Sequence, residues 1–107
     1  MQNSEFVANY FEALNSKQVE KQIEYFTEEA TVVDVDETFN GKAAIKEWII
    51  DSNSKFEAIS KVIDIKTSGS TINVLTTVSG NFPGSPVDLK YDFVMLNEKI
   101  KNLDIKL

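Results

Sequence analysis

The order in which hydrophobic periods follow one another constrains this chain more than any single motif. Phe6, Val7, Tyr10, Phe11 and Leu14 recur at the spacing of one helix face, with Asn3 or Ser4 placed to cap the helix and Glu5 in its first turn. Asn15-Ser16 ends that helix. A second, narrower stripe follows in Val19, Ile23 and Phe26, with Lys17, Glu20, Lys21 and Glu24 on the outer side. After Ala30 the period changes: residues 31–35 are rich in β-branched side chains and predict a short strand, and Asp36-Glu37-Thr38 predicts a turn or loop. Gly41 precedes a third predicted helix over 42–52, which shows Ala44, Ile45, Trp48 and Ile49 on one side and stops at Asp51-Ser52-Asn53-Ser54. The remainder predicts four antiparallel strands over 56–67, 71–80, 87–96 and 99–107, joined at Ser68-Gly69-Ser70, at residues 81–86 and at Asn97-Glu98.

Helices first and a meander of strands afterwards predict an α+β domain with its helices on one side of a curved sheet. No repeat, low-complexity segment or linker divides residues 1–107, so a single domain is expected. A chain of 107 residues buries roughly two thirds of its unfolded surface, enough for one core.

The inventory narrows the chemistry. The chain has no Cys and no His, and all 11 basic residues are Lys. Disulfides, thiol nucleophiles, His-based triads and the usual zinc ligands are therefore excluded. Carboxylate, phenol, hydroxyl, amide and ammonium groups remain. A net charge of -6 with scattered lysines lacks the footprint of a nucleic-acid binder. No apolar run approaches the roughly 20 residues that span a bilayer, and residues 1–10 do not read as a secretion signal, so no membrane partner and a cytoplasmic location are expected.

The runs Tyr10-Phe11-Glu12-Ala13-Leu14-Asn15-Ser16, Tyr25-Phe26-Thr27-Glu28-Glu29-Ala30-Thr31-Val32-Val33-Asp34 and Phe39-Asn40-Gly41-Lys42-Ala43-Ala44-Ile45, in that order, resemble the cone-shaped domains of the SnoaL-like (nuclear transport factor 2-like) superfamily. The resemblance implies three N-terminal helices packed on the concave face of a mostly antiparallel sheet, with a cavity between them for a small apolar molecule. Phe11, Phe26, Phe39, Trp48 and Phe56 are its candidate walls. Within that superfamily the site pattern resembles the ketosteroid isomerases, which implies Asp34 as a general base, Tyr10 as an oxyanion donor and Asp92 as a protonated acid donating a second hydrogen bond. Such a set moves a proton beside a ketone and stabilises the enolate with no cofactor and no metal. Relatives that lean on His or Arg are matched less well, since both residues are absent.

Each assignment has a structural competitor. Tyr10 also suits a core tyrosine, and Asp34 a carboxylate at a strand end or turn. Asp34, Asp36 and Glu37 together suggest a cation site less readily than a solvated acidic run. On the third long strand, Leu89, Tyr91, Phe93 and Met95 form a more apolar face than the one carrying Asp92, and a core built on that face turns Asp92 outward. A strand apolar on both sides also predicts a homodimer through the convex sheet face. The competing functional class is a non-catalytic ligand-binding or dimerisation module.

Overall fold

The first helix, α1 (Asn3–Asn15), buries Phe6, Val7, Tyr10 and Phe11, the stripe expected from sequence. The computed structural model describes residues 3–55 and 57–107. α1 ends in a left-handed turn at Lys17 (φ 59), where Lys17 N donates to Leu14 O and Gln18 N to Ala13 O, the paired bonds that close a helix C-terminus. α2 (Val19–Glu24) is shorter than its stripe suggested. Phe26 opens β1 (Phe26–Asp34) instead of finishing α2, because parallel pairing with the last strand pulls the chain out of the helix: Ile100 N donates to Tyr25 O at 2.6 Å.

β1 turns back through two residues into β2 (Glu37–Asn40), with Asp34 opposite Glu37. Gly41 then holds φ 89, a left-handed conformation that glycine adopts without a Cβ penalty, and its carbonyl accepts the first bond of α3 (Lys42–Lys55) from Ile45 N. α3 runs three residues past the expected stop. Its polar end is held locally by a Lys55–Asp51 ion pair of 2.9 Å and by Ser54 Oγ donating to Asp51 O. The long strands follow as β3 (Ala58–Ser68), β4 (Thr71–Gly80), β5 (Val87–Leu96) and β6 (Lys99–Lys106), close to their predicted bounds. Asn97 and Glu98 both take positive φ in the two-residue β5–β6 turn, as a tight hairpin with the sheet's twist requires.

The sheet order is β2-β1-β6-β5-β4-β3, antiparallel throughout except for β1 beside β6. Register shifts in β1, β3 and β5 bend it. The helices lie on one face, with an aromatic core of Phe6, Tyr10, Phe11, Tyr91 and Phe93 between α1 and the middle strands. α3 makes its main contacts with α2, β1 and β2, at one side of the sheet. That offset leaves space between α3 and the middle of the sheet.

β5 buries Tyr91 and Phe93, while Lys90 is exposed and Asp92 half-buried on the opposite side. Of the apolar residues on this strand, Leu89, Tyr91, Phe93 and Met95 pack on the core and Leu96 is 49% exposed. The outer surface carries Lys66, Asn73 and Asp92 in register across β3, β4 and β5, with Lys90 two positions along β5.

Val35, directly after Asp34, holds φ 58 and is 52% exposed. A β-branched residue in the left-handed region is strained, and little packing compensates it there. Val35→Asn is expected to stabilise the fold by about 1 kcal/mol and raise the melting temperature by about 4–8 °C, read by thermal denaturation. A lower melting temperature would show that Val35 packing outweighs the strain.

Candidate functional site

The space beside α3 is a cavity of about 540 Å³. Leu14, Ile49, Val78, Leu89 and Ile105 make its wall mostly apolar, and the β4–β5 loop closes one side with Phe82 and Pro83. Its polar residues come from different elements. Asp34 lies at the end of β1 on the same face as Val32, because strand side chains alternate. Pairing continues that row across the sheet: Asp34 is opposite Ile105 on β6, and Ile105 is opposite Tyr91 on β5. The Asp34 and Tyr91 Cα atoms are thus about 10 Å apart, two strand spacings.

α3 sends Trp48 toward this row, and its indole Nε1 donates to Asp34 Oδ2 at 3.0 Å, leaving the other carboxylate oxygen for a ligand. Phe39 packs behind the indole, with ring centroids 5.9 Å apart. Ser60, on β3, is fixed from α1. Asn15 Oδ1 accepts from Ser60 N at 2.8 Å and Asn15 Nδ2 donates to Ser60 O at 2.9 Å, so the residue read as a helix end also ties down an edge strand. Gln22 of α2 reaches the cavity from behind, donating from Nε2 to Tyr10 Oη at 3.2 Å.

The three expected polar residues do not converge. Asp34 is on the cavity wall. Tyr10 is wholly buried among Phe6, Phe11, Tyr25, Phe26 and Phe93, off the wall and hydrogen-bonded to Gln22, which lines it. Asp92 points to the opposite face, where Asn73 Nδ2 donates to it at 2.6 Å and Lys106 Nζ lies 2.8 Å away. Partial burial would raise its pKa, but the Lys106 and Asn73 hydrogen bonds win and hold it below the ordinary carboxylate value. A neutral acid in an apolar site needs the reverse. The more apolar face of β5 packed inward, and a one-residue alternation carried Asp92 out with it.

Of the expected aromatic walls, Trp48 lines the cavity. Phe26 is sealed in the core, Phe39 stands behind Trp48, and Phe11 borders a shallow depression between α1 and β3. Phe56 lies outside the described residues. Gln22, Ser60 and Tyr91 were missed. For Gln22 a signal existed, since it follows Val19 by three positions and precedes Ile23 on the inward stripe; Ser60 offered none. Among the described residues, no group of three or more carboxylates gathers as a metal cage, and no helix is long and apolar enough to cross a membrane.

Both buried phenols resist ionisation. Burial pushes Tyr10 well above the ordinary phenol value, opposed by the Gln22 hydrogen bond and aided by Tyr91. Burial does the same to Tyr91, the Asp34 charge adds to it, and a hydrogen bond with Ser60 opposes it. A raised folded-state pKa means stability that is complete below the unfolded value and lost as pH rises above about 10. In a Tyr25→Phe variant, tyrosinate absorbance is expected to appear only together with loss of near-ultraviolet circular dichroism. Reversible ionisation near pH 10 with the dichroism intact would contradict the burial.

A scan against protein-family models and a search of curated proteins gave no match. Solved structures match closely in shape. A protein from Sinorhizobium meliloti assigned as a polyketide cyclase is 29% identical over 95% of this chain and 94% of its own, with a TM-score of 0.91. The epoxide hydrolase/cyclase-like enzyme SalBIII, which has a role in pyran ring formation in the polyether salinomycin, is 23% identical over 96% of this chain and 88% of its own, with a TM-score of 0.85. A protein with a ketosteroid isomerase-like fold from Catenulispora acidiphila, in complex with trimethylamine, is 15% identical over 99% of this chain and 87% of its own, with a TM-score of 0.87. Helices on one face of a bent six-stranded sheet define an α+β cone of the nuclear transport factor 2-like type. The chain thus has the fold that its sequence runs implied, that of the SnoaL-like (nuclear transport factor 2-like) proteins.

Proposed function

We propose that the cavity binds a small apolar carbonyl compound and that Asp34 moves a proton at the carbon beside the carbonyl. One observation carries the reading: a single carboxylate, oriented by the Trp48 indole, faces a mostly apolar cavity of about 540 Å³. In the proposed step an Asp34 oxygen takes the α-proton, the C–H electron pair forms a carbon–carbon double bond, and the carbonyl π pair moves to oxygen as an enolate. Asn53 Nδ2, buried and without a partner among the described residues, and the Tyr91 hydroxyl supply donors from the same wall. Where the ketone is β,γ-unsaturated the enolate is a dienolate, and return of the proton to its γ-carbon completes an isomerisation. The cyclase assignment and the isomerase-like fold of the structural neighbours support chemistry of this class.

The placement of Tyr10 and Asp92 away from the cavity favours a second reading, a non-catalytic carrier. The two are separated by incubating the protein with 1-tetralone, an apolar ketone with an enolisable CH2, in deuterated buffer. Proton transfer is expected to speed deuterium uptake at the α-carbon above the buffer rate, as read by mass spectrometry. Saturable binding without faster uptake would leave the carrier.

A further inference from the structure

We infer that the ligand carries a hydroxyl group besides its carbonyl, and that Gln22 is the residue that selects it. The inference rests on the carbonyl-binding reading above and deepens it. Gln22 is 3% exposed and lines the cavity, yet only one end of its amide is engaged: Nε2 donates to Tyr10 Oη, while Oε1 is buried with no partner among the described residues. Buried carbonyl oxygens are almost always paired, because an unpaired one loses water without replacement. The other buried side-chain atom without a partner among the described residues is Asn53 Nδ2, and it belongs to the same cavity. The two residues that carry unpaired atoms thus line one space. One atom is an acceptor, the other a donor.

Their chemistry divides a ligand between them. Asn53 Nδ2 can donate to a carbonyl oxygen but cannot accept; Gln22 Oε1 can accept but cannot donate. The group opposite Gln22 must therefore bring a proton of its own. An ammonium group would do so, but a neutral amide among Leu14, Ile49 and Leu89 does not repay the loss of its hydration, and the Asp34 carboxylate is committed to the indole and to the carbon acid. A hydroxyl is neutral and suits an apolar wall. Tyr10 Oη accepts from Nε2, which leaves Oε1 as the unpaired end of the amide.

The test compares 1-tetralone with its 5-, 6- and 7-hydroxy derivatives and the matching methyl ethers, all titrated against the full chain by isothermal calorimetry. At least one hydroxy compound is expected to bind about tenfold tighter than the parent, the usual worth of one neutral hydrogen bond. Its methyl ether, which accepts but cannot donate, should lose that preference, and Gln22→Met should bring the ratio to about one. Equal affinities for all compounds in the unaltered protein, or a preference that survives methylation, would overturn the inference even if Gln22→Met failed to fold. Deuterium uptake by 1-tetralone is read separately. A hydroxyl preference without uptake removes the proton-transfer reading and leaves the Gln22 subsite, whereas uptake without a preference does the opposite.

Discussion

Replacing Asp34 with Asn is expected to slow deuterium uptake at the α-carbon of a bound ketone by about 10²–10⁴-fold, the range spanned by a single positioned general base. The exchange changes volume very little. An amide oxygen at the same position can still accept from Trp48 Nε1, so the cavity wall and the melting temperature should stay close to those of the parent. Ketone affinity should also hold within a few-fold, since binding comes mainly from the apolar wall. The loss should therefore appear in the rate of the bound complex and not in its formation, as expected for a group acting only in the transition state. Parent-like uptake in Asp34→Asn would place the base elsewhere. Tyr91→Phe should cost less, because it removes one proposed donor while leaving the base untouched.

The parts of the fold that were legible in the sequence depend on local chemistry. The second and third long strands fall on 71–80 and 87–96 as expected, because they are bounded by turns whose residues tolerate positive φ: Gly69 before one strand, Asn97 after the other. Phe26 was misplaced because it lies in helical register with Ile23, and nothing nearby reveals its pairing with Ile100, which is 74 positions away. The end of α3 was missed for a different reason. Asp51, Ser52, Asn53 and Ser54 favour loops, but Asp51 and Lys55 form an i,i+4 pair that only a continued helix allows.

The site was less legible. Asp34 could be found because a carboxylate sharing a strand face with Val32 must face inward if Val32 does, and Val32 is fully buried. Asp92 required knowing which face of β5 meets the helices. That choice is made by Phe6, Tyr10 and Phe11 of α1 packing on Phe93 and Tyr91, a contact between segments some 80 residues apart. Tyr10 fitted the inward stripe in either reading; only the depth of the aromatic cluster decides that its hydroxyl meets Gln22 before it meets the cavity.

That cluster yields the largest expected change in stability. Phe93 is fully buried, with ring centroids 5.6 Å from Phe6, 5.3 Å from Tyr10, 6.3 Å from Phe11 and 6.0 Å from Tyr91. Phe93→Ala removes its transfer energy and leaves a hole between α1 and the sheet that the neighbouring rings cannot fill without leaving their own contacts, at a cost of about 3–5 kcal/mol. A domain of this size has roughly 5–15 kcal/mol in total, so the variant should lose a large share of its stability and unfold at much lower urea with an unchanged slope. Lys90→Ala, on the exposed side of the same strand, should stay within about 0.5 kcal/mol. The contrast tests the face assignment itself. If Phe93→Ala and Lys90→Ala cost the same, β5 does not present Tyr91 and Phe93 to the helices, and the outward placement of Asp92 falls with it.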